Sequence, residues 1–209
     1  MFNVTARLFT ATIACALLNV LPATAQQPQL SPLRGTIESV EGSVVTIKSR
    51  DGKDLKLISP DNVVVRGVVK ISLPDIKPGS FIGVAGMPQE DGSQKALSVM
   101  LFPEALPQAL RNELEGSSPY DLRPNSTMTN AALDKMVLVN DGNKLTVKYK
   151  GGEKTIIVTA ETPIVALVPG DKSELKAGAK ILASTLKKAD GSYDAPRFLV
   201  GRDGLTPPM

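Results

Sequence analysis

Apolar and polar side chains alternate in two well-separated stretches, Val45-Thr46-Ile47-Lys48 and Leu145-Thr146-Val147-Lys148. A period of two is the signature of a strand with one buried face. In the second stretch Leu145, Val147 and Tyr149 share one face, and Thr146, Lys148 and Lys150 share the other. Glycine turns follow at Asp51-Gly52 and Gly151-Gly152, and the alternation resumes at Leu55 and Leu57 and at Ile156 to Val158. Each stretch therefore predicts a hairpin. Thr36 to Val40 reads as a preceding strand and Val63 to Val65 as a short apolar run. Phe81 to Ala85 and Ala96 to Phe102 are the closing strands of the first half. Ala179 to Thr185 and Arg197 to Val200 are those of the second.

The two halves repeat one another. Asp75-Ile76-Lys77-Pro78-Gly79 matches Glu174-Leu175-Lys176-Ala177-Gly178, and Asp91-Gly92-Ser93 matches Asp190-Gly191-Ser192. Matching blocks that stay in register mark an internal duplication. Each copy reads as three meandering strands, a single helical turn and two further strands, the order of an OB-like barrel. The expected fold is all-β: two tandem five-stranded OB-like β-barrels, in residues 34–103 and 130–209. A short helix and an extended strap, residues 104–129, join them.

The connector breaks the pattern. Leu106, Leu110 and Leu114 recur every four residues and predict one apolar helical stripe beginning near Leu106, with Gly116 as its C-terminal cap. Ser117 to Asn130 (SSPYDLRPNSTMTN) has no counterpart in either copy. Pro119 and Pro124 restrict the backbone, while Tyr120 and Leu122 supply its sizeable apolar surface. A connector of this length without structure of its own is usually functional or disordered. The strap is thus either a fixed crossing pinned by Tyr120 or a wall of a binding site, with Tyr120, Asp121, Arg123 and Asn125 as contact residues.

Composition adds location and removes chemistry. Arg7, the apolar run Leu8 to Leu21 and Ala23-Thr24-Ala25 make residues 1–25 a cleavable signal sequence. Cleavage removes Cys15, the single cysteine, and the chain has no histidine. The mature protein then has no disulfide and none of the usual soft-metal or zinc ligands. Its charge falls from +3 to +2, a weak attraction for a polyanion. Aromatic residues make up 4% and tryptophan is absent, which argues against the stacking platforms of single-stranded nucleic-acid binders. Ser117, Ser118 and Ser126 lack a Gly-x-Ser-x-Gly elbow, and Asp51, Asp91, Asp141 and Asp190 all sit in glycine turns.

The residues Arg34-Gly35-Thr36-Ile37, Asp75 to Gly79, Phe102-Pro103-Glu104-Ala105-Leu106, Ser126 to Ala131 and Thr206-Pro207-Pro208-Met209 resemble a group of small exported bacterial proteins of unknown function with OB-like repeats. The resemblance implies export and fold, and supplies no catalytic residues. The sequence thus points to an exported, periplasmic or secreted, non-catalytic binding protein of the cell envelope, without cofactor. Its expected partner is an envelope protein, a glycan or a small anion, with no nucleic acid and no membrane span after cleavage. The alternatives are an accessory factor in envelope metal handling and a hydrolase.

Overall fold

The computed structural model describes residues 30–139 and 142–209. The signal sequence read at residues 1–25, and Asp141, lie outside them. The first copy contributes β1 (Ser31–Glu41), β2 (Val44–Ser49), β3 (Asp54–Ile58), β4 (Val64–Lys70), β5 (Phe81–Pro88) and β6 (Gln94–Leu101). Helix α1 (Gln108–Leu114) and strand β7 (Gly116–Pro119) follow. The second copy contributes β8 (Thr127–Val139), β9 (Gly142–Tyr149), β10 (Gly152–Val158), β11 (Ile164–Pro169), β12 (Lys180–Lys187) and β13 (Tyr193–Gly201). Single 3-10 turns at Leu73–Asp75 and Lys172–Glu174 precede β5 and β12. The described residues are all-β apart from one short helix and the two 3-10 turns.

The strands do not pair as one barrel per copy. β1 pairs with β2, and β2 with β3; β3 then runs parallel to β13, β13 pairs with β12, and β12 returns to β1. This closed five-stranded barrel takes three strands from the first copy and two from the second. The other pairings mirror it: β8 with β9, β9 with β10, β10 parallel to β6, β6 with β5, and β5 back to β8. The expected tandem arrangement, closed within 34–103 and within 130–209, is therefore corrected to an exchange of the last two strands. β4 and β11 carry the exchange, pairing antiparallel with one another and each parallel to a closing strand.

The two copies have the same alternation, so closure within or between them buries the same kinds of residue. The crossing segments decide. Gly178 and Gly79, both at φ 84°, follow the two 3-10 turns in the left-handed region that glycine enters without a Cβ clash. The Gly178 N–H donates to the Ile37 carbonyl at 2.8 Å, and the Gly79 N–H donates to Leu133 at 2.7 Å. Each turn is thereby tied to the other copy's first strand.

Three apolar clusters follow from this pairing. Ile37, Val45, Ile47 and Leu57 pack with Ile181, Ala195 and Phe198 inside the first circuit, under Leu175. Leu133, Leu145, Val147 and Ile156 pack with Ile82, Val84 and Val99 inside the second, under Ile76. Tyr149 packs against this second cluster, on the face that the alternation assigned to it. The third cluster, with Val68, Phe81, Met100, Phe102, Leu182 and Met209, lies between the circuits, and Leu106, Leu114 and Tyr120 pack on it.

The connector departs from expectation in two ways. Helix α1 starts after Pro107, later than Leu106, because proline's fixed φ and missing N–H suit a helix entrance rather than its interior. Gly116 does not cap the helix; the chain turns extended at Glu115, and Gly116 opens β7.

Candidate functional site

The run 117–130 is a hairpin rather than an extended strap. Ser117 pairs with Thr129, Ser118 with Met128 and Pro119 with Thr127. Between the strands, residues 120–126 form a tight loop built on Ser126, which is 2% exposed. The Tyr120 N–H donates to the Ser126 carbonyl at 2.8 Å, and the Ser126 N–H donates to the Arg123 carbonyl at 3.0 Å. The Ser126 hydroxyl accepts from the Arg123 N–H at 3.1 Å and shares its proton between the Tyr120 and Arg123 carbonyls, each at 2.8 Å. Asn125 sits at φ 62°, a left-handed position that asparagine tolerates better than most residues.

The loop is fastened to the first barrel through Arg34 on β1. Both terminal nitrogens of its guanidinium donate to the Asp121 carboxylate at 2.8 Å, a two-pronged contact suited to the planar fork. Nη2 also donates to the Tyr120 hydroxyl at 3.0 Å, and Nε donates to a main-chain oxygen of Met209 at 2.6 Å. The guanidinium lies 5.4 Å from the centre of the Tyr120 ring. Burial pushes the Tyr120 hydroxyl pKa up, against the pull of Arg34 and Arg50. Burial works against the charge on Arg34, but Asp121 and Tyr120 outweigh it and raise its pKa.

Of the four contact residues read from the sequence, Tyr120 and Asp121 meet on Arg34. Arg123 and Asn125 are exposed at the loop tip, and their side chains make no hydrogen bond among the described residues. Arg34 itself was missed as a site residue. It appeared only within a motif, and a lone base beside a glycine carries no periodic signal of what it will meet.

Beside this fastening lies a hollow of about 340 Å³. Its apolar lining is Leu122 and Pro208 over the buried Pro207 and Met209, and Arg34, Lys48, Arg50 and Lys180 surround it. Among the described residues no Asp or Glu side chain lines it. Arg34 is matched by Asp121, and Lys48 by Asp54 at 2.5 Å. Arg50 and Lys180 form no ion pair and no side-chain hydrogen bond among the described residues. Two basic residues thus line the hollow without an ion-pair partner among the described residues.

One serine candidate meets a base. Lys154 Nζ lies 3.0 Å from Ser117 Oγ, which lies 2.9 Å from Thr129 Oγ1. Thr129 donates its proton to Gln94 Oε1 at 2.8 Å, so Ser117 must donate to Thr129 and accept from Lys154. The amide orientation of Gln94 is fixed by the Thr127 carbonyl, 3.0 Å from Nε2. The result is a one-way donor relay ending on the fully buried Gln94, whereas a nucleophile would present its proton to the base.

Among the described residues, no cluster of three or more histidine, cysteine, aspartate or glutamate side chains is placed to hold a metal ion. No helix among them is long and apolar enough to cross a membrane. Comparison with protein-family models, with curated proteins and with solved structures finds no match for the chain.

Proposed function

We propose that the chain is an exported, non-catalytic binding protein of the bacterial cell envelope. In this reading both strand circuits are OB-like barrels, because each runs meander, parallel closure and antiparallel return, with a helical turn before the fourth strand. Export rests on the signal-like pattern of residues 1–25. The observation that carries a binding role is the hollow next to the fastened loop, where Arg50 and Lys180 stand beside an apolar lining without an ion-pair partner among the described residues. Small-molecule sites combine an apolar surface with a few polar groups in this way. Arg123 and Asn125 extend the same face outward as contact residues for a protein or glycan.

Native mass spectrometry of the protein purified from its own periplasm tests this reading. A retained adduct, or a crosslinked envelope partner weakened by Arg123→Ala, is the expected result. Protein found only at its bare mass, with no partner captured by wild type, would remove the binding role.

A further inference from the structure

The internal repeat shows what the hollow lacks. Arg34 and Asn130 occupy equivalent ladder positions, since Arg34 faces Leu182 on β12 and Asn130 faces Gly83 on β5. Lys180 and Phe81 are likewise equivalent, facing Thr36 and Ala132. Arg50 and Lys150 stand at the same distance beyond Lys48 and Lys148, themselves paired to Thr36 and Ala132.

On the second circuit this position is filled by helix α1. Asn130 Nδ2 donates to the Leu114 carbonyl at 3.1 Å, and Lys150 Nζ donates to the Asn112 carbonyl at 3.2 Å. Arg111 lies over the Phe81 ring, 5.8 Å from its centre. On the first barrel only the Asn130 contact has a counterpart, the Arg34 bond to Met209. Arg50, the counterpart of Lys150, has no acceptor among the described residues. Lys180 replaces the aromatic surface that receives Arg111. A position that receives helix α1 and the cation of Arg111 on one side is lined by the tail, residues 206–209, on the other, where Lys180 in place of Phe81 favours an anion.

We infer that this hollow is a binding site for a phosphate monoester with a compact apolar substituent; the inference rests on the binding role proposed above. The guanidinium of Arg50 can donate two parallel bonds to phosphate oxygens, and Lys180 adds a point charge. Together they match the charge of about −2 that such a phosphate carries near neutral pH. The substituent lies on Leu122 and Pro208, the half-buried apolar residues of the hollow, whose volume of about 340 Å³ suits a single ring or short aliphatic group. Anion and substituent are recognised together because the cations stand beside the apolar lining.

Calorimetric titration of the mature protein with phenyl phosphate, inorganic phosphate and phenol tests this site. Phenyl phosphate is expected to saturate one site per chain and to bind at least about tenfold tighter than either half-probe, a difference of roughly 1.4 kcal/mol. Arg50→Gln and Lys180→Gln should each weaken it by about tenfold without moving the thermal midpoint. Equal binding of phenyl phosphate and inorganic phosphate would remove the apolar requirement and overturn the proposal. Unchanged affinity in the Arg50→Gln/Lys180→Gln double variant would place any binding elsewhere and also overturn it. A periplasmic adduct retained by that double variant would leave the general binding role standing while eliminating this site.

Discussion

Val68 of β4 faces Leu167 of β11 across an antiparallel ladder, and the two are counterparts in the repeat. Val68 stands as far before Ile76 as Leu167 stands before Leu175, the two residues that cap the circuits. An antiparallel pair that matches a position with its own counterpart places an approximate twofold axis between them. The chain therefore has the symmetry of a strand-exchanged dimer, made covalent by the connector.

Such a molecule should unfold as one unit. Each circuit draws strands from both copies, so chemical denaturation is expected to show a single transition by both fluorescence and circular dichroism. A protease site inserted between Arg123 and Pro124 gives a sharper test. After cleavage the halves should still elute together from gel filtration and separate only on unfolding. Halves that part in native buffer and keep strand-rich spectra would show that each copy closes on itself.

Arg34 joins four groups at once: Tyr120, Asp121, Met209 and the β1 backbone that carries it. Its side chain is 11% exposed, so its loss strands partners away from full solvation. Arg34→Met should lower unfolding free energy by about 2–3 kcal/mol, the scale of a lost hydrogen bond to a charged group. Arg34→Lys should recover less than half of this, because an ammonium cannot present the planar fork. Urea midpoints at constant m-value measure both.

Ser126 is the pivot of the loop, and Ser126→Ala removes three short contacts while leaving the β7–β8 ladder intact. The expected cost is about 1–2 kcal/mol. Amide exchange gives the specific readout: the Tyr120 and Arg123 N–H groups should lose protection, while that of Thr129 in the ladder should not. Loss of protection along the whole hairpin would mean that Ser126 holds the strands as well as the turn.

The Tyr120 hydroxyl has its pKa raised by burial. The unfolded phenol ionises near pH 10, below the folded value, so high pH favours the unfolded state. The corresponding stability is complete below about pH 10 and declines as pH rises through the folded pKa. A phenolate absorbance titration compared with Tyr120→Phe isolates this step. A Tyr120 step at or below the value of free tyrosine would contradict the burial described here.

Local order was legible in the sequence wherever alternation and turn chemistry agreed. Val45, Ile47, Leu145 and Val147 are all fully buried, and the glycine turns stand between paired strands. Which copy each strand would join was not legible, because Ile82 and Ile181 present the same apolar face to either partner. The candidate site was half legible. Tyr120 and Asp121 declared themselves by standing in a polar run outside the repeat. Arg34, Arg50 and Lys180 come from three separate strand ends, and only the exchanged pairing brings β1, β2 and β12 to one place.

The interleaving also sets a clock. The first three strands wait for β12 and β13, which come from the far end of the second copy, while β5 and β6 wait for the strands that follow them. Contacts of such long sequence separation form slowly, since loop closure must precede them. In this pairing neither circuit closes while the later half is still being made. In the export proposed above, the wiring of the strands would tie closure of both circuits to the arrival of the second copy.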